Sequence, residues 1–251
     1  MLLEVGDVSK WFGGLQAVKN ASFGVPPGQV MGLVGPNGAG KTTLFNMITG
    51  TIPTDHGTVA FDGADITGAT AQQRVAAGIG RTFQDVRLLP RLSVVDNVCV
   101  GIQQQAGERM RRVFFRPVAV VKDEHRTVEL AHQYLDFVGI GETVRNQSAG
   151  ALSYGEQKLV SIARVLATEA RLLLLDEPTS GLDEASLDQF RQVLAKVIEQ
   201  GRTVLLVEHN MLLVRELCDQ AVFLGTGEVL AVDTPERLME SEALRDAYFG
   251  A

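Results

Sequence analysis

Residues Gly35–Thr42 read GPNGAGKT, the spacing G-x-x-x-x-G-K-T, directly after the apolar run VMGLV and before a segment of helical pattern. Such a string forces a strand to end, the chain to turn on glycine, and a helix to begin with its first N–H groups unpaired. The glycines let successive backbone N–H groups face inward on an anion, at the positive end of a helix dipole. The loop is therefore expected to cradle the phosphates of a nucleotide through Gly35, Pro36, Asn37, Gly38, Ala39, Gly40, Lys41, Thr42 and Thr43. Lys41 is expected to reach the β- and γ-phosphates, and Thr42 to offer its hydroxyl to Mg²⁺.

A second apolar run, RLLLLDE, ends on Asp176 and Glu177. A continuous apolar run suits a strand buried on both faces of a parallel sheet. Ligands of such sheets sit at the carboxyl ends of the strands. Asp176 is the expected Mg²⁺ carboxylate and Glu177 the expected base for a water that attacks the γ-phosphate. A third run, RTVLLVEH, ends on His209.

The string LSYGEQK, Leu152–Lys158, precedes a long helical pattern. Ser153 and Glu156 have the spacing of a capping box. Gly155 does not fit a first helical turn, because glycine weakens a helix. Its expected use is to let something approach bare backbone. If the cap were the whole story, valine at 155 would cost the helix a few tenths of a kcal/mol at most, or even stabilise the turn, since valine outranks glycine.

The 251 residues, 45% hydrophobic and 21% charged, suit one large domain or a domain with a substantial insertion. The two ends read as alternating strands and helices, starting with LLEVGDV, ASFGV and QVMGLVG; from Thr70 to about Gly150 the helical period dominates, as in RTVELAHQYLDFVGI, with apolar Val128, Leu130, Leu135 and Val138. That is an α/β core with a helical subdomain inserted. A net charge of −7 argues against broad binding of nucleic acid. Cys99 and Cys218 have neither disulfide-framework nor metal-site spacing, as in a reduced, intracellular setting. The start MLLEVGDVSK lacks signal-peptide character, and no apolar run is long enough to cross a bilayer. The segment GERMRRVFFRPVAVVK is basic within an acidic chain, through Arg109, Arg111, Arg112, Arg116 and Lys122. It reads either as a face for anionic lipid or a membrane subunit, or as a solvated hairpin. Phe114 and Phe115 favour its packing on something.

Together GPNGAGKT, RTFQD, LSYGEQ, LLLLDE, SGLD and VEH, in that order, resemble the ATP-binding cassette (ABC) ATPases from Phe12 to about His209. The resemblance implies a P-loop NTPase core, an N-terminal antiparallel β-subdomain and an inserted helical subdomain, with core at about 1–84 and 168–251 and helical subdomain at about 85–167. It implies ATP and Mg²⁺ as ligands. Phe12 falls where the family stacks an aromatic on adenine, with core packing as the competing reading. Gln84 matches the family's Q-loop Mg²⁺ ligand, Asp183 lies in its D-loop, and His209 matches its γ-phosphate switch. LSYGEQ resembles the signature sequence, whose Ser153 and Gly155, with Glu156 beside them, would face ATP bound to a second cassette. Three departures stand out: Phe12 stands where tyrosine is commoner, Tyr154 replaces a glycine, and Gly181 replaces the more usual alanine.

RTFQDVRLLPRLSVVDNV, the segment GIQQQAGERMRRVFFRPV and the ending AYFGA resemble the ATPases of high-affinity branched-chain amino-acid importers. The partners implied are a second cassette (identical or paralogous), integral membrane permease subunits and, indirectly, a solute-binding protein, with no nucleic acid. The implied location is cytoplasmic, peripheral on the inner membrane. Cassettes of urea or short-chain amide importers and of lipopolysaccharide export are rivals; the insertion argues against the last. A non-transport ABC ATPase of ribosomes or nucleic acid would carry two cassettes or long coiled coils. A small-molecule kinase would have no reason to place LSYGEQ at a helix start.

Overall fold

The computed structural model describes residues 1–83, 85–102 and 117–241, the side chains of 117–123 excepted. Gln84, the core of the basic segment and the AYFGA ending lie outside the described residues. The chain divides into two compact units, one of Met1–Arg81, Arg171–Pro178 and Lys196–Ala251, the other of Thr82–Ala170 and Thr179–Ala195.

The first unit holds strands β1 (Leu3–Phe12), β2 (Leu15–Val25), β3 (Val30–Val34), β4 (His56–Phe61), β5 (Ala64–Asp65), β6 (Ile79–Arg81), β7 (Leu172–Asp176), β8 (Thr203–Val207), β9 (Gln220–Gly225) and β10 (Glu228–Asp233). One sheet is antiparallel, in the order β2-β1-β4-β5. The other has the order β10-β9-β3-β8-β7-β6, parallel except for the β9/β10 edge. Every residue of β3, β7 and β8 is buried, which is why their sequences, VMGLV, LLLLD and TVLLV, show no alternation. β6 interrupts the stretch whose period is otherwise helical; three residues are too few to show either period, and pairing with β7 decides their conformation.

Helix α1 (Lys41–Ile48) buries Leu44, Phe45, Met47 and Ile48 in a cluster shared with Val5, Val18 and Phe23 of the antiparallel sheet and Leu33, Leu174 and Leu205 of the parallel one. The P-loop helix is thus fixed by apolar contact with both sheets. Its far end is fixed by a buried cation. Arg74, on α2 (Ala71–Ala77), is 2% exposed. Its guanidinium donates to Met47 O (2.8 Å), Ile48 O (2.7 Å), Thr67 O (2.9 Å) and Ala69 O (3.1 Å). Two of these are the last carbonyls of α1, which lack i+4 partners within the helix; Met47 O also accepts from Gly50 N at 3.1 Å. A cation there also complements the helix dipole.

In the second unit, α3 (Val94–Cys99), α4 (Pro117–Val138) and α5 (Tyr154–Leu166) pack together. On α4 the buried stripe is Thr127, Ala131, Leu135 and Val138. Leu135 and Val138 therefore face inward as their spacing predicts, but Val128 is 40% exposed because the stripe passes through its neighbour Thr127. Buried Arg145 closes the end of α4, donating to Ile140 O at 2.7 Å and pairing with Asp136.

Arg74→Met keeps most of the volume and removes four charge-assisted hydrogen bonds. It is expected to lower stability by about 2–4 kcal/mol, read as a fall in the denaturant midpoint at unchanged slope.

Candidate functional site

The loop after β3 is shaped by close backbone approach. At Gly35 (φ 148°) a Cβ would stand 2.0 Å from Leu224 O, and at Gly40 (φ 97°) it would stand 2.4 Å from Ala17 O. Only glycine fits either place. Gly40 also caps α1 without any side-chain acceptor, and the first turn carries no acid, so the helix's leading N–H groups and positive dipole end are left for an anion. Lys41 is buried, and its Nζ donates to Gly35 O at 2.7 Å and Pro36 O at 2.9 Å. Burial holds this ammonium below its ordinary pKa, and the nearby Glu177 carboxylate partly offsets that. Thr42 is exposed beside it.

β3, β8 and β7 are neighbours, and Leu33, Val207 and Asp176 are matched across them in register. The three segments that follow therefore emerge side by side at one edge of the sheet. Asp176 is 6% exposed, and burial pushes its carboxyl above the usual range, opposed by Arg81, whose Nη2 is 3.4 Å from Oδ2. Glu177 has φ 44°, a conformation that costs a non-glycine residue roughly 1–2 kcal/mol. It is held there by the hydrogen bond from its own N–H to Val207 O, 3.0 Å. His209, 56% exposed, places Nδ1 4.0 Å from Glu177 Oε1. Glu208, which sequence reasoning passed over, is 1% exposed, with Oε2 3.9 Å from the same imidazole nitrogen. Only its place at the end of a buried strand could have flagged it.

Phe12, at the end of β1, is 50% exposed with Lys10 Nζ 5.7 Å from its ring centre, so it is not a core aromatic. The first unit thus gathers Phe12, Gly35–Thr43, Asp176, Glu177 and His209. Cys99 and Cys218 play no part; burial pushes their thiols up to about 11 and about 12. Among the described residues, no three His, Cys, Asp or Glu side chains converge on a metal position.

Ser153, Gly155, Glu156 and Asp183 belong to the second unit. The capping box is present: Ser153 Oγ accepts from Glu156 N (3.3 Å), and Glu156 Oε2 accepts from Ser153 N (2.9 Å). Asp183 caps helix α6 (Glu184–Glu199), its Oδ1 accepting from Ser186 N at 2.8 Å, which holds its carboxyl below the usual range. Gly155 corrects the expectation drawn from helix propensity. A Cβ there would stand 2.3 Å from Ser186 Oγ and 2.9 Å from Ser186 Cβ. What approaches the bare backbone of Gly155 in this chain is Ser186. Valine at 155 would clash within the chain before it met any ligand.

Residues 18–180 match the sequence profile of a family described as ABC transporter. The chain is 37% identical over 250 residues to the high-affinity branched-chain amino acid transport ATP-binding protein BraF of Pseudomonas aeruginosa, covering 99% of this chain and 98% of BraF. It is 33% identical to the corresponding protein LivG of Escherichia coli, with the same coverage. The lipopolysaccharide export system ATP-binding protein LptB of Haemophilus influenzae is 31% identical, over 99% of this chain and 97% of its own length. Among solved structures, the ADP conformation of an ATP-binding cassette of an ABC transporter superposes with a TM-score of 0.85 at 28% identity, covering 100% of this chain and 99% of that one.

Gly155→Val is expected to destabilise the protein by about 1–3 kcal/mol through overpacking. Adding Ser186→Gly, which removes the atoms it meets, should restore much of the loss. Thermal unfolding of the two variants checks this; equal loss in both would show that Ser186 is not the obstacle.

Proposed function

The chain belongs to the ABC transporter family, and from that premise we propose that it is the ATP-hydrolysing subunit of an importer of branched-chain amino acids. The observation that carries the solute class is the 33–37% identity, over nearly the whole chain, to BraF and LivG. The partners proposed are a second cassette, membrane permease subunits and, beyond them, a solute-binding protein. The proposed place is the cytoplasmic face, held by those subunits, on the strength of the likeness to transport ATP-binding proteins; no helix among the described residues is long and apolar enough to cross a membrane.

The residues of the first unit have the chemistry the reaction needs. Gly35–Thr43 offer backbone N–H groups to the phosphates, Lys41 turns from its loop carbonyls to the β- and γ-oxygens, and half-exposed Phe12 offers a face for adenine. Thr42 and Asp176 supply the hard oxygen ligands that suit Mg²⁺, which is held by one or two protein groups together with substrate phosphates rather than by a cage. Gln84 is proposed as a further ligand. Bound Mg²⁺ would neutralise charge on the phosphates. Glu177 accepts a proton from the water that attacks the γ-phosphorus while the bond to the ADP oxygen breaks. His209, within reach of Glu177, contacts the γ-phosphate.

Ser153, Gly155, Glu156 and Asp183 are proposed to serve the ATP of the partner cassette, so that two chains, head to tail, enclose two nucleotides. ATP closes that dimer, hydrolysis opens it, and the helical unit passes the motion to the membrane subunits. Lipopolysaccharide export is the second reading, on the strength of the 31% identity to LptB.

Two experiments test this. Glu177→Gln keeps shape and removes the base; phosphate release should fall by about 10²–10⁴ with equilibrium ATP binding retained. Near-normal turnover would remove Glu177 from the role. For the solute, deletion of the gene should abolish ATP-dependent uptake of labelled leucine. Unchanged uptake, with lipopolysaccharide accumulating in the inner membrane, would instead establish the export reading.

A further inference from the structure

Two of the three departures from the family pattern, Tyr154 and Gly181, touch each other. Tyr154, where a glycine is usual, opens α5; Gly181, where alanine is usual, lies in the loop before α6. A Cβ on Gly181 would stand 3.1 Å from Tyr154 Cε1, closer than an aromatic carbon and a methyl rest without one giving way. Gly181 is also at φ 74°, where a side chain is strained. The loop presents bare backbone at Gly181, and one edge of the Tyr154 ring lies against it while the residue stays 46% exposed.

The same loop and the first turn of α6 are each tied to α5 at one further point. Lys158, one turn after Tyr154 and buried, donates to Ser180 O at 2.5 Å and lies 5.1 Å from the Tyr154 ring centre. Ser186, whose N–H is bonded to Asp183, presses against Gly155. Ring, ammonium and glycine contact together join the first turn of α5, which carries Ser153, to the loop that carries Asp183.

We propose that Tyr154 is a positioning residue that clamps the Ser180–Asp183 loop to the start of α5, bearing on Gly181, so that Ser153 and Asp183 meet the partner cassette's nucleotide as one body. The inference rests on the two-chain site proposed above. A ring edge against Gly181 makes the separation of these two groups a property of one chain, set before any partner arrives. The phenol oxygen is not required for this; the ring is.

The test is a double-mutant cycle in a Glu177→Gln parent, which holds ATP without turning it over. The reading is the ATP concentration that half-converts monomer to dimer, by light scattering, at a temperature below the thermal midpoint of every variant. Gly181→Ala should raise it about tenfold when Tyr154 is present, and less than about threefold in Tyr154→Ala, a coupling within the range of contacting residues. Tyr154→Phe should match the parent. ATP affinity of the isolated monomers should be the same in all variants, which separates positioning from damage to the first unit. An equal effect of Gly181→Ala in both backgrounds, or failure of phenylalanine to substitute, would overturn the clamp. A parent that forms no dimer with ATP, either with itself or with the second cassette of its own transport system, would overturn the two-chain reading itself, and the clamp with it.

Discussion

The carbonyl oxygen of Leu224 occupies the place where a side chain at position 35 would have to go. β9 and β3 are adjacent parallel strands, and this approach occurs where the chain leaves β3 for the phosphate loop. The loop is gripped from the other side as well. Ala17 O lies against Gly40, Gly227 N donates to Ala39 O at 3.0 Å, and Lys19 N donates to Gly227 O at 2.8 Å. Within the loop Ala39 N donates to Pro36 O at 3.2 Å, and N–H groups kept bare for an anion cannot add to that. The rest of its hold comes from β2, β9 and the turn into β10.

Around that loop the protein buries charge, each group with a named counterweight. Lys41 is answered by its own loop carbonyls and by Glu177, Asp176 by Arg81, and Arg74 by four carbonyls. Isolated, any of these would cost several kcal/mol. The strain at Glu177 belongs to the same pattern, a non-glycine residue kept at positive φ by its neighbour strand at the point where the sheet hands over to the site.

The fold class was legible because its signals are local or continuous: an eight-residue loop that only one kind of junction satisfies, and apolar runs that only doubly covered strands tolerate. The capping box at Ser153 was legible for the same reason, both partners lying within one turn. β6 was hidden by its length and Thr127 by its polarity. Glu208 has no local mark; its burial follows from the place of β8 inside the sheet. Gly155 was the instructive case. The sequence shows that something comes close to it but not what, because Ser186 lies 31 positions away, on a helix whose approach no local pattern encodes.

The strand order has a consequence for how the chain is born. In its sheet β3 lies between β8 and β9, whose residues are Thr203–Val207 and Gln220–Gly225. The antiparallel sheet uses nothing beyond Asp65 and can form early, but β3, with all five residues destined for burial, has no neighbour until the last fifth of the chain has left the ribosome. At about 5–20 residues per second an apolar strand and the loop behind it stay unpaired for roughly ten to forty seconds. Over that interval, more than in the finished sheet, the open edges of an apolar strand are exposed to off-pathway pairing.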